Sequence, residues 1–190
     1  MNRDTSEITQ LLTSWSAGDE ESFDRLIELV YDDLRHIAHR HLNVGARDTV
    51  VDTTVLVHEA YVKLAGADGA EWAGRAQFFA FCSKAMRRIL IDFARRKNAE
   101  KRGGAHIRVP LRDDSATIDS DIAELLAIED ALQRLEGRNA RMARIVECRF
   151  FGGMSVADTA EALGTSVRTV EREWTRARAY LRQALRDGLD

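Results

Sequence analysis

A single proline, Pro110, interrupts the 190-residue chain. Proline removes a backbone donor and clashes with the preceding helical turn, so almost nothing else here is barred from being helical. Apolar residues accordingly recur at helical spacing. Phe23, Leu26, Ile27, Val30, Leu34, Ile37 and Ala38 form one stripe at intervals of three and four. The chain shows neither a strand signal nor an internal repeat. A first helix ends near Gly18 and a second carries this stripe. A third, TTVLVHEAYVKLA, is closed by Gly66, and a glycine-rich loop, AGADGAEWAGRA, follows. A long helix then runs from about Ala76 to Lys101. Four more cover IAELLAIEDALQRLEG, RNARMARIVECRFFGG, SVADTAEALG and the segment from Thr165 to Arg186. Between the two groups lies RGGAHIRVPLRDDSATIDSD, with Gly103, Gly104, Pro110 and a polar tail, which reads as a linker. The expectation is an all-α protein of two small helical domains, residues 1–101 and 122–190, joined by a flexible linker over 102–121.

The formal net charge of −3 conceals blocks of alternating sign. Residues 1–71 hold 6 basic and 14 acidic residues, and 72–112 hold 11 and 2. Residues 113–137 hold 1 and 8, and 138–190 hold 10 and 7. Two basic blocks separated by an acidic one suggest two contacts with a polyanion, nucleic acid being the obvious candidate. Nothing in the chain approaches the roughly 18 apolar residues of a membrane span. The N-terminus has no signal-peptide core, so the cytoplasm and no membrane partner are expected. Cys82 and Cys148, far apart, read as reduced structural thiols.

The second basic block has helix-turn-helix grammar. Ser155 can cap a short helix with Asp158 as its reciprocal partner, Gly164 stands at the turn, and Ser166 can cap the next helix. At 100° per residue, Arg168, Arg172, Arg176, Arg178, Arg182 and Arg186 fall on one arc of roughly 160°. Val167, Val170, Trp174, Ala177, Leu181 and Leu185 fill the other side. One face packs, and the cationic face suits a phosphate-walled groove. Base reading falls to Arg168, Thr169, Glu171, Arg172, Thr175 and Arg176, because arginine can grip guanine, glutamate can accept from cytosine and threonine can touch a thymine methyl. Arginines beyond Arg176, Arg178 first among them, would meet phosphates.

The first basic block interleaves aromatics with cations. Phe78, Phe79, Phe81 and Phe93 lie among Lys84, Arg87, Arg88, Arg95, Arg96 and Lys97, behind a loop holding Trp72 and Arg75. That mixture suits single-stranded or melted nucleic acid. Phe78, Phe81 and Phe93 also read simply as the core of an amphipathic helix. His36, His39 and His41 do not match a metal-ligand spacing, and RGGAH lacks the lysine-serine pair of a phosphate loop. No cofactor, metal site or catalytic constellation is expected, and no enzyme.

VVDTTVLVHEAYVKL, FFAFCSKAMRRILIDFARRKNAEKRGG and MSVADTAEALGTSVRTVEREWTRARAYL, in that order around a linker, resemble the bacterial ECF (extracytoplasmic-function) sigma factors. These are small two-domain subunits of RNA polymerase. The resemblance implies that the first domain binds a coiled coil of the largest polymerase subunit and opens the −10 element. It implies that the second reads the −35 duplex and meets the polymerase flap, with an anti-sigma factor as a further partner in some members. Carried over, Val57, Glu59, Ala60, Tyr61, Lys63 and Leu64 match the polymerase-binding helix. Trp72 to Gln77, with Trp72, Arg75 and Gln77 foremost, match the loop that captures a flipped −10 base. Arg87, Arg88, Asp92, Arg95 and Arg96 match the helix facing −10 DNA, and Arg168 to Arg178 match the −35 recognition helix. Thr54 and His58 depart from the acidic pattern of many members. Glu171 and Glu173 place anionic charge on the recognition helix. The rival reading is an operator-binding helix-turn-helix regulator independent of core polymerase.

Overall fold

A computed structural model describes residues 5–42, 52–66, 72–103 and 114–186. Among them the chain is all-α, with no strand. The helices are α1 (Thr5–Ser16), α2 (Glu20–Leu42), α3 (Thr53–Ala65), α4 (Arg75–Gly103), α5 (Asp114–Arg138), α6 (Ala140–Val146), α7 (Val156–Ala162) and α8 (Val167–Arg186). A π-helical turn, Glu147–Phe151, extends α6. The expected bounds of the third helix hold to the residue. Asp52 caps α3, its carboxylate accepting from the Val55 N–H at 2.8 Å, and Gly66 closes it.

A first unit, α1 to α4, packs around Leu12, Leu26, Val30, Leu34, Leu56, Leu64, Phe78, Met86 and Leu90. Burying each such side chain contributes about 1.5–3 kcal/mol. The stripe read from α2 is this buried face. Phe79 is core at 1 % exposure, whereas Phe81, expected inside, is 39 % exposed. A second unit, α6 to α8 with the C-terminal half of α5, closes over Leu132, Leu135, Ala143, Val146, Phe151 and Ala177.

The expected linker is only partly seen. Residues 104–113, which include Gly104 and Pro110, lie outside the described residues, as do 67–71 of the glycine-rich loop. α4 continues to Gly103 and α5 begins at Asp114, eight residues before the expected second domain. The segment DSATIDSD reads as linker by its polarity, yet it contains no glycine or proline. Acidic residues also favour a helix N-terminus, where the peptide dipoles leave partial positive charge. α5 then serves both units: Ile122 and Leu125 pack into the first core, Leu132 and Leu135 into the second.

Both cysteines are free and buried. Burial pushes the Cys82 thiol far up and the Cys148 thiol to about 12, so neither supplies a thiolate at neutral pH.

Candidate nucleic-acid interface

The helix-turn-helix forms from the local signals its sequence carries. The Asp158 N–H donates to Ser155 Oγ at 3.0 Å and the Ser155 N–H to the Asp158 carboxylate at 3.4 Å, a complete capping box for α7. Gly164 turns the chain at φ +58°, a region costly for any residue with a Cβ. Ser166 Oγ then accepts from the Thr169 N–H at 3.2 Å and starts α8.

α8 is anchored by Val170 and Ala177, both fully buried, with Trp174 half-buried beside them. Its opposite face is open. Arg168, Glu171, Arg172, Thr175, Arg176, Arg178, Arg182 and Arg186 are exposed, and Thr169 is half-buried beside its cap. Arg178 leans over the Trp174 ring at 5.3 Å, which draws it to the edge of the arc. Val167, expected to pack, is 46 % exposed because it stands on the first turn, ahead of the buried stripe.

Glu173 is not a DNA-facing charge. It is 3 % exposed and accepts from Arg141 Nε at 2.8 Å and from a terminal nitrogen at 2.6 Å, with Arg172 at 3.7 Å. The Arg141 hydrogen bond, foremost, holds its carboxyl below the usual range. Arg141 carried no signal of its own in the sequence. Its partner lies 32 residues away, and only the fold pairs them.

On α4 the predicted residues divide. Arg88, Asp92, Arg95 and Arg96 are exposed, Arg96 donating to the Asp92 carbonyl at 3.3 Å. Arg87 is drawn inward. Its Nε donates to Glu147 at 2.6 Å and a terminal nitrogen bonds Glu129, both acids belonging to the second unit. Burial pushes the Glu147 carboxyl above its ordinary value, against the pull of Arg87.

The loop ahead of α4 is tied to its surroundings. Trp72 stacks on Trp15 at 5.7 Å and meets Phe78 and Phe81 edge-on, so it anchors the loop to the core. Arg75 is 8 % exposed, lies over Phe79 at 4.9 Å and pairs with Asp33 at 3.8 Å. Gln77 is exposed, and its Oε1 accepts from the Ala73 N–H at 2.6 Å, capping α4. In this conformation all three have structural partners.

α3 also sorts its candidates. Val57 and Leu64, expected outward, are 3 % and 0 % exposed and belong to the core. Counting apolar residues on α3 could not tell the packed face from the open one. The open face carries Val55 and Val62, 46 % and 55 % exposed, with His58, Glu59 and Lys63 around them. Tyr61 is half-buried, its hydroxyl donating to Asp24 at 3.3 Å.

His41, of the histidine run, is buried. It stacks on Phe151 at 5.0 Å, and Nε2 lies 3.3 Å from Ser83 Oγ. No cluster of metal-ligating side chains occurs among the described residues, and no described helix is long and apolar enough to cross a membrane.

An arginine-faced helix on a capped helix-turn-helix, beside a second helical unit, defines a helical DNA-binding protein of two units. Comparison with known proteins refines that class. The ECF sigma factor family matches residues 5–187, so this chain belongs to the ECF sigma factors. It is similar to the ECF RNA polymerase sigma factor SigM of Mycobacterium tuberculosis, in strain Erdman and in strain H37Rv. Each is 27% identical over 180 residues, spanning 93% of this chain and 83% of the relative. The chain is thus an alternative sigma factor that works with core RNA polymerase and directs initiation at specific promoters. The family is one of DNA-binding regulators, not of catalysts, and the operator-binding reading is set aside.

Proposed function

We propose that three surfaces share the contacts to DNA and that two others seat the polymerase. α8 reads the −35 duplex, with Arg168, Thr169, Glu171, Arg172, Thr175 and Arg176 at base edges and Arg178 on the backbone. The exposed face of α4, with Arg88, Asp92, Arg95 and Arg96, tracks the −10 strand, and Arg87 joins it once freed from its carboxylates. The loop from Trp72 to Gln77 captures a −10 base after exchanging its present partners.

The polymerase coiled coil sits on the open face of α3, over Val55, Glu59, Val62 and Lys63, with Tyr61 at its edge. Two exposed valines one heptad apart on a helix of a small domain favour a partner helix over solvent. The flap seats in an apolar groove of about 250 Å³ lined by Ile128, Leu132, Phe150, Trp174, Leu181 and Leu185.

The observation that carries this reading is the exposure of six arginines on one face of a helix whose other face is anchored. Run-off transcription with bacterial core polymerase on a genomic library tests it. The chain should select promoters with common −35 and −10 elements. Arg172→Ala and Arg176→Ala should each cost roughly 1–3 kcal/mol of −35 discrimination. Base preferences at −35 that survive both substitutions would show that another helix reads the DNA. Val62→Asp should weaken co-purification with core polymerase while leaving helical content intact.

A further inference from the structure

None of the roles assigned above falls on α1, yet its last turn reaches the loop proposed to capture a −10 base. The segment WSAGDEESF sets Trp15 and Phe23 eight residues apart across a tight turn. Gly18 makes that turn at φ +97°, its N–H donating to the Trp15 carbonyl at 2.9 Å. Asp19 then accepts from Ser22 Oγ at 2.7 Å, where α2 starts. The hairpin so closed lays the Trp15 indole against Phe23, with ring centroids 4.6 Å apart. Phe23 in turn meets Tyr61 of α3 at 5.3 Å. Backed in this way by α2 and α3, Trp15 stacks on Trp72 at 5.7 Å, the two planes 16° apart.

The contacts that hold the loop differ in kind. Gln77 Oε1 accepts from the Ala73 N–H, and Arg75 pairs with Asp33. Both contacts are polar, and the base edge and phosphate of a nucleotide offer these side chains equivalent partners. Trp72 is held by rings instead, Trp15 of α1 and Phe78 and Phe81 of α4. Turning Arg75 and Gln77 toward DNA therefore leaves the Trp72 contacts in place. Ring pairs also fix geometry, because offset-stacked and edge-on arrangements are favoured over others.

The stack lies at the rim of the first core. Trp15 and Trp72 are half-buried, whereas Phe23 and Phe78 beside them are buried. Trp72 Nε1 and Arg75 Nε are buried too, and neither has a hydrogen-bond partner among the described residues. A buried donor without an acceptor is costly, and the edge of a captured base supplies acceptors. Ordering a loop at the moment of binding weakens binding, so a wall fixed beforehand strengthens it.

We propose that Trp15 is a positioning residue for base capture: it holds the Trp72 indole as a fixed wall while Arg75 and Gln77 change partners. The inference rests on the reading of the Trp72–Gln77 loop as the capture element. Trp15 acts through Trp72 rather than on the base.

The test uses the full chain with core polymerase and a linear promoter selected by run-off, either fully paired or mismatched over −10. Trp15→Leu keeps apolar bulk without a ring, and Trp15→Phe keeps a ring. Trp15→Leu should lower run-off on the paired promoter roughly threefold to tenfold, the range of one aromatic pair. Trp15→Phe should restore most of that loss. The mismatched template should also restore most of it, because unpairing no longer has to be offset. In a Trp72→Leu background, Trp15→Leu should cause no further loss. Binding to a −35 duplex should be the same throughout, with helicity followed by far-ultraviolet circular dichroism.

Equal losses in Trp15→Leu and Trp15→Phe, or equal impairment on the two templates, overturn the proposal. Loss of helicity in Trp15→Leu overturns it as well, because the fold rather than the loop then needs the residue. If Trp72→Leu impairs the paired promoter and Trp15→Leu does not, the loop reading stands and the role of Trp15 falls. If Trp72→Leu itself leaves run-off at the parent's level, both fall, and the fault lies in reading the loop as the capture element.

Discussion

His41 shows how a residue of the exposed-looking run RHIAHRH becomes part of the interior. It is 1 % exposed, lies between Ser83 of α4 and Phe151 of the π-helical turn, and has Arg87 nearby with Glu147 beyond it. Burial first, and the Arg87 charge second, depress its pKa from 6.5 to about 3. A base with a depressed folded pKa binds its proton more readily when unfolded. Its contribution is therefore complete above pH 6.5 and is lost as pH falls toward 3. Between pH 7.5 and 5.5 that amounts to about 1–2 kcal/mol. Urea unfolding at those two pH values should show this loss in the parent. His41→Phe, which keeps a ring against Phe151, should largely remove the pH dependence. An equal loss in both proteins would mean that another group titrates. Glu147 has a raised pKa, which runs oppositely: the unfavourable charge of its buried carboxylate is relieved on acidification. The observed slope is thus the His41 loss less any Glu147 gain.

At the level of the element, the rotation of α8 about its axis decides which side chains meet DNA. Three inward residues fix it: Val170, Ala177 and Glu173. The first two are apolar anchors, and the third is a charge that must find Arg141. The pair is asymmetric, because the Arg141 side chain is 53% exposed and that of Glu173 only 4%. Removing Glu173 lets Arg141 return to water. Removing Arg141 strands a buried carboxylate, with Arg172 at 3.7 Å as a poor substitute. Arg141→Ala should therefore cost roughly 1–3 kcal/mol of stability, and Glu173→Gln less. The double variant should cost less than the sum, which a double-mutant cycle in urea would measure. Arg141→Ala should also blur −35 preferences, although its side chain lies behind α8 and is not among those proposed at base edges. Strict additivity would show that the pair does not hold the helix.

The same element shows what a sequence makes legible. Ser155, Ser166 and Gly164 act within one turn of their own position, so these caps and this turn could be read directly. The arginine arc follows from periodicity alone. Glu173 could not be assigned, because an acid on a cationic face reads as a departure until Arg141, on another helix, is seen beneath it. Val57 and Leu64 failed for a related reason, since α3 is apolar on more than one side and only its neighbours choose the packed one. The helical start of α5 was hidden by polarity, which weakens burial without forbidding a helix. Arg87 had the right residue type for DNA, but its neighbours in the fold are Glu129 and Glu147, which no local pattern announces.

At the scale of the whole molecule, charge is segregated while the total stays near neutral. The formal net charge is −3, yet the exposed face of α8 carries six arginines. Long-range attraction to DNA is accordingly small, and binding depends on how many arginines displace counterions locally. Each phosphate neutralised adds about 0.9 to the slope of log affinity against log salt on duplex DNA. Arg168 and Arg172, near the start of α8, lie in the part expected to enter the groove, with Arg178 flanking it on the backbone. Arg186 ends the helix, beyond the expected groove. For the full chain on a −35 duplex, Arg178→Ala should lower the slope by about one unit and weaken all sequences alike. Arg186→Ala should leave the slope nearly unchanged. Arg172→Ala should change base preference more than salt dependence, because its loss falls on a base edge. Fluorescence anisotropy across 50–200 mM salt separates the three outcomes. A full unit lost on Arg186→Ala, with none on Arg178→Ala, would mean that the helix lies on DNA by its far end, and the docking proposed for α8 would have to be reversed.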